Sequence, residues 1–361
     1  MLSASMDLAA LLAARLEADG ATPHTSDASL TERDLLAALH PSSPPSAAWI
    51  ADALLIVAQH QQAGAAERVW PLLRVIEPLL ADLAERDPRS AGRVHGALAA
   101  QALLEIAPEA FLERASRAAD VFDRVGDARR ASVERTALGA AHAALGADAD
   151  ADRDLRAALL AAEPEGLALT TALARHHLAR VLSRRGALDE ARALAGGATA
   201  GFAEHGDRRL EGAARASLAS VLASLGLGAD AEVEARRAID LLADAPPERA
   251  LADASLARAL LAQGKAGDAL AAVSGAQADA RAVGWLAGGS AAVWLALTDA
   301  HLATGAHEAA ASALAEARRR VLAEASKLRS PALRRSYLER VPEHRRALGL
   351  DVPVDAKQAT H

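Results

Sequence analysis

Glycines recur at Gly146, Gly186, Gly226, Gly264 and Gly305, with separations of 40, 40, 38 and 41 residues. A chain punctuated at so regular an interval is built from repeated units, and that constrains its fold more than any total does. The surroundings of each glycine repeat as well. Eight residues earlier stand Leu138, Leu178, Leu218, Leu256 and Leu297, each followed by a small residue: Gly139, Ala179, Ala219, Ala257 and Thr298. Four residues before the glycines come His142, Leu182, Leu222, Leu260 and His301. Five residues after them come Ala151, Ala191, Ala231, Ala269 and Ala310, and twelve after them Ala158, Ala198, Ala238, Ala276 and Ala317.

These positions fit a helix, a turn and a second helix. Positions i, i+1 and i+4 of the first helix share one face. The glycine supplies the positive φ that stops it. Two alanines seven apart share one face of the second helix, where the missing side-chain bulk lets two helices approach closely. Leu at Ala191 or Ala231 is expected to overpack that contact, at a cost of about 1–3 kcal/mol. Composition agrees: 99 of the 361 residues are Ala and aromatics are 2%, which favours helices over strands and thin packed layers over a thick core.

Two earlier units follow the pattern more loosely. Residues 46–83 carry Gly64 as the turn, and in residues 91–122 Ala107-Pro108 stands where the glycine would be. Between repeats, Gly126-Asp127 and Gly206-Asp207 read as a helix stop followed by an N-cap, and Pro246-Pro247 and Gly284 close two later repeats. The expected organisation is N-terminal helices and a linker over 1–45, with a helix over about Met6–Ala18, a capping box at Ser29 and Glu32, and the polar stretch PSSPPS. A helical array of about seven helix pairs spans 46–330. Capping helices over 331–350 open at Ser330-Pro331 and Pro342, with Arg334, Arg335, Arg340, Arg345 and Arg346 as a polar outer face. The tail 351–361 has no pattern and is expected to be disordered.

A formal charge of −7 of mixed sign argues against nucleic-acid binding driven by bulk charge. The run Arg318, Arg319, Arg320 lies late in a helix, flanked by Glu316 and Glu324, and has no aromatic partners interleaved. There is no Cys, so disulfides and thiolate zinc sites are ruled out. The N-terminus lacks a basic lead, and no apolar run approaches the ~18 residues that span a bilayer. A cytoplasmic protein with no membrane association is expected.

Catalytic motifs fail at named residues. AQGKAGD around Gly264 and Lys265 lacks the first glycine and the Ser/Thr of a phosphate loop. His307-Glu308 begins like HExxH but continues to Ala311 where the second His belongs. His142 and His301 occupy a repeat core position and read as packing residues, not metal ligands. No catalytic residues, metal site or cofactor are expected, and the chain does not read as an enzyme.

The frame of Leu and a small residue, the turn glycine and two alanines seven apart resembles the tetratricopeptide repeat, and Trp294 stands three residues before Leu297 as that family favours. The spacing of about 40 is longer than the family's usual ~34. From about Ala118 to Leu350 the chain is similar to the C-terminal repeat region of bacterial multidomain serine/threonine kinases and large regulatory ATPases, most of all in FAEHGDRRLEGAARASLASVLASLG and SPALRRSYLERVPEHRRALGL. The resemblance implies an all-α, right-handed α-solenoid of antiparallel helix pairs, with extended repeats and a partner-docking role in signalling. It brings no catalysis, because no HRD, DFG or GxxxxGK[ST] motif is present.

In tetratricopeptide arrays the first helices line a concave groove. His176, Arg180 and Arg184 form a stripe four residues apart on one such helix, and Arg258 holds the place equivalent to Arg180. Guanidinium groups there favour carboxylates or phosphates through bidentate hydrogen bonds. These four residues are the candidate binding set for a protein or peptide partner. Leu173, Leu251, Leu295 and Leu302 in the same groove would instead favour an apolar helix or self-docking. The expected function is a non-catalytic interaction scaffold. The alternative is a structural or autoinhibitory tail docking on its own kinase or ATPase domain.

Overall fold

The structure, a computed structural model, describes residues 6–19, 45, 47–62, 66–283 and 290–350. The expected capping box at Ser29, the Gly64 turn, the Gly284 stop and the tail 351–361 lie outside the described residues. Among the described residues every regular element is helical, and the fold is an all-α helical repeat solenoid.

The first elements are α1 (Met6–Asp19), α2 (Ala47–Gln62), α3 (Ala66–Ile76), α4 (Leu80–Arg86), α5 (Pro88–Leu104), α6 (Pro108–Arg124) and α7 (Ala128–Ala144). There follow α8 (Asp148–Ala162), α9 (Ala168–Arg184), α10 (Leu188–His205), α11 (Arg208–Ser224) and α12 (Gly228–Leu241). The chain closes with α13 (Pro246–Ala262), α14 (Ala266–Ser274), α15 (Ala291–Ala303), α16 (His307–Lys327), α17 (Pro331–Arg340) and α18 (Pro342–Leu348). Pro246-Pro247 therefore open α13 as its first turn, where a missing N–H costs nothing.

The turn glycines all adopt positive φ, from 75° at Gly264 to 79° at Gly186. Each turn closes in the same way. The N–H of the residue after the glycine donates to the carbonyl four residues before it, as in Ala147 to His142 (2.9 Å), Ala187 to Leu182 (3.0 Å) and Leu227 to Leu222 (2.9 Å). This bond satisfies carbonyls that a helix end would otherwise leave unpaired. In the unit lacking a glycine, Ile106 takes the turn position with φ 54°, and Ala107 donates to Ala102 at 2.9 Å. The turn geometry thus overrides the residue's preference. Asp127 and Asp207 cap the next helices, accepting from Arg130 and Leu210 backbone N–H groups at 3.2 and 2.9 Å.

The chain divides into two compact units, residues 1–138 with 154–171 and residues 139–153 with 172–361. In the first, α2 packs on α3 and α5, α5 on α6, and α1 on α2 and α5. Its larger side chains gather in one cluster that includes Trp49, Ile50, Leu72, Leu73 and Ile76. Arg15 of α1 donates to both carboxylate oxygens of buried Glu134 (2.7 and 2.8 Å). Glu17 accepts from the Leu169 and Thr170 N–H groups at the opening of α9 (2.9 and 3.1 Å). A cavity of about 90 Å³ remains beside α1, lined by Leu12, Arg15, Gln61, Phe122 and Glu134 among others.

In the second unit neighbouring helices from α10 to α16 pack in sequence, and α13 also packs on α11 and on α15. Its core is thin, as in the cluster Ala216, Ala238, Leu242, Ala245 and Ala252. All ten repeat alanines are at most 2% exposed. Gly212 makes the closest approach: a Cβ there would lie 2.6 Å from the Leu242 side chain. A backbone brought that near gains dispersion contacts that any larger residue would turn into a clash.

Candidate functional site

α9, α11, α13 and α15, the first helices of their repeats, carry the candidate residues of the second unit. His176 does not reach the surface. It is 8% exposed, packed edge-on to His177 (ring centroids 5.0 Å apart) and to Phe202 (6.3 Å). Burial, then the nearby Arg180 charge, lowers its pKa to about 3, and His177 is lowered well below its usual value for the same reasons together with His176 itself. A neutral, enclosed imidazole cannot attract an anion, so the expected stripe reduces to its arginines.

Arg180, Arg184 and Arg258 are half-buried. Arg184 is already engaged within the unit: its Nη2 donates to the Ala143 carbonyl (2.9 Å) and to the Asp148 carboxylate. That contact straps the end of α9 to the turn at Gly146. The Nε atoms of Arg184 and Arg258 are buried and meet no hydrogen-bond acceptor among the described residues. Leu173 and Leu295 are buried, whereas Leu302 is 48% exposed.

A further charge near these arginines lies in the C-terminal helix pair, which the sequence predicts to be a polar cap. Half-buried Glu343 in the first turn of α18 feels Arg258 and Arg184 together. Burial would raise its pKa, but Arg258, the local backbone N–H, Arg184 and His344 outweigh it and hold the carboxyl below its usual range. Three residues on, Arg346 donates from two nitrogens to Asp299 on α15. Asp299 and Arg258 each stand six residues before their turn glycine, so the aspartate that binds Arg346 and the first of the charges that lower Glu343 occupy equivalent repeat positions.

The pair is seated by packing too. Tyr337 of α17, Val341 at the joint, and His344 and Ala347 of α18 are buried, each at most 6% exposed. His344 Nδ1 lies 2.8 Å from the Tyr337 carbonyl. The turn at Gly146 is pressed by the same segment: a Cβ there would stand 2.8 Å from the Ser336 carbonyl oxygen and 3.1 Å from Arg340 Cβ. Asp148, Asp299 and Glu343 are not among the residues expected from the sequence. Only Asp299 carried a signal, its place in the frame beside Arg180 and Arg258.

Among the described residues no cluster of three or more His, Asp or Glu is arranged to hold a metal ion, and no helix is long and apolar enough to cross a membrane.

No protein-family model matches the chain, and no curated protein matches it. Solved structures do. A Rap protein complexed with Competence and Sporulation Factor matches at TM-score 0.52 and 14% identity, covering 84% of this chain and 98% of that one. NprR in complex with its cognate peptide NprX matches at TM-score 0.56 and 12% identity, covering 83% and 87%. A signal-transduction ATPase with numerous domains and a tetratricopeptide repeat sensor, from Pyrococcus horikoshii, matches at TM-score 0.53 and 14% identity, covering 84% of this chain and 45% of that one. The chain therefore shares its fold with tetratricopeptide-like helical repeat proteins.

Proposed function

We propose that the chain is a non-catalytic interaction scaffold in bacterial signalling or regulation, receiving a partner's peptide or helix on the first helices of its repeats. One observation carries this reading: that surface already receives a helix pair, with Arg346 bound to Asp299 and with Ser336 and Arg340 pressed on the turn at Gly146, to which Arg184 is strapped. Arginine in a partly desolvated groove is suited to carboxylates, since its hydration is weak and its fork is pre-shaped. Two of the similar structures were solved with a bound factor or peptide, which supports the same use of this fold.

Reversing Arg180 and Arg258 to Glu tests the reading. Arg184 is the poorer choice because it also holds Asp148. Partner capture should fall while helicity, read by circular dichroism, stays unchanged. Recovery of the same partners at the same yield by the double variant would show the reading to be wrong.

The second reading is a regulatory segment acting on the catalytic domain of a longer kinase or ATPase regulator. The likeness to an ATPase with a repeat sensor favours it. Co-purification with a separately expressed catalytic domain from a neighbouring reading frame would distinguish it.

A further inference from the structure

The C-terminal helix pair is attached lightly for a segment so well placed. Leu328 and Ser330 at its entrance and Val341 at its centre are extended, with ψ near 119° at all three, so α17 and α18 are short rods on non-helical joints. Its fully buried apolar side chains are three, Tyr337, Val341 and Ala347, and it is held by polar contacts as well. Its charges nevertheless match the repeat surface in register. A cap built only to shield the last repeat would need no contact with the turn at Gly146, which lies four repeat turns upstream of Gly305 and to which Arg184 is strapped.

We propose that α17–α18 is a built-in occupant of the partner surface. The partner is a protein segment that presents an acidic side chain at the opening of a helix, as Pro342-Glu343 does here. It takes Glu343's place by Arg184 and Arg258 and lifts the pair away at its extended joints. This rests on reading the first-helix surface as a partner site. It adds that the site is closed in the resting chain and that binding and release of the C-terminal pair are one event. Apparent affinity is then reduced by the fraction of molecules in which the surface is open.

The test uses the full chain and a fluorescein-labelled synthetic peptide of residues 331–350 as probe. The wild-type chain should bind the probe weakly. The Glu343→Lys chain, with a like charge facing Arg184 and Arg258, should bind it at least about ten-fold tighter. A probe carrying Glu343→Lys should not bind either chain. A second receiver, Arg346→Asp, guards against a Glu343→Lys chain that fails to fold: it breaks the exposed pair with Asp299 and leaves Asp299 open to the probe's own Arg346, so it too should bind the probe at least about ten-fold tighter than wild type.

Equal probe binding by wild type and Glu343→Lys, with residues 331–348 equally protected from hydrogen exchange in both, overturns the inference. So does probe binding at the wild-type level by the folded Arg346→Asp chain, or displacement of the probe by a short oligonucleotide as readily as by an acidic peptide. No outside partner enters these assays, so their outcome is separate from that of the Arg180/Arg258 reversal.

Discussion

Arg346 on α18 and Asp299 on α15 form a two-bond ion pair, 47 residues apart in sequence, and it fixes the rotation of α18 about its axis. Glu343, three residues earlier on the same helix, lies in the field of Arg258 and Arg184, which lowers its pKa. Both partners of the ion pair keep solvent contact, at 45% and 26% side-chain exposure, so it sets register more than it adds stability. Asp299→Arg is expected to lower protection of residues 331–348 in hydrogen exchange with less than about 1 kcal/mol lost globally. Adding Arg346→Asp should restore protection. If the single variant leaves exchange unchanged, the pair has no part in seating α18.

Arg15 and Glu134 make a stronger case in the first unit, because Glu134 is 3% exposed at its side chain. Arg15→Ala leaves that carboxylate buried and unpaired and should cost about 3 kcal/mol in urea unfolding. Replacing both, Arg15→Met with Glu134→Leu, should recover most of the loss, since burying two apolar groups avoids the desolvation penalty. A double variant as unstable as the single one would place the damage in packing, not charge.

Ile106 holds a left-handed backbone at φ 54° while 38% exposed. A β-branched residue there costs about 1–2 kcal/mol, against about 0.5–1 kcal/mol of extra chain entropy for glycine. Ile106→Gly is therefore expected to raise the urea midpoint, by a net of about 0.5–1 kcal/mol. A lower midpoint would mean that the half-exposed side chain contributes more packing than its burial implies.

Acid should destabilise the fold before most carboxylates titrate. His95 is lowered to about 4, by burial first and then by Arg114 and Arg117, and His176 to about 3. His177 shifts in the same direction. Unfolded histidines bind protons below about pH 6.5 while these stay neutral, so stability falls as pH drops through that value and toward 3. The slope is up to about 1.4 kcal/mol per pH unit for each histidine. Asp253, raised to about 6 chiefly by burial, opposes this between its unfolded value and 6. Urea midpoints at pH 7.5 and 5 check the sign. Equal midpoints would place the histidines in water.

The repeat frame was legible because it is local. A positive φ at Gly186 or Gly226 and a close helix contact at Ala191 or Ala231 each depend on residues within one helix pair. Those features survive in a one-dimensional pattern of spacing and side-chain size. Ile106 shows the limit even there: the hydrogen-bonded turn is imposed by the helices on either side, and a residue with the wrong preference complies.

By itself the sequence determined the all-helical repeat, the turn positions and the basic character at Arg180, Arg184 and Arg258. Tertiary structure decided what those residues meet. It enclosed His176 against Phe202, tied Arg184 to Asp148, and brought Arg346 to Asp299 and Arg340 to the turn at Gly146 from the far end of the unit. The physical reason is range. Helix propensity and turn geometry act over a few residues, whereas desolvation and charge pairing depend on which surfaces the folded chain brings together.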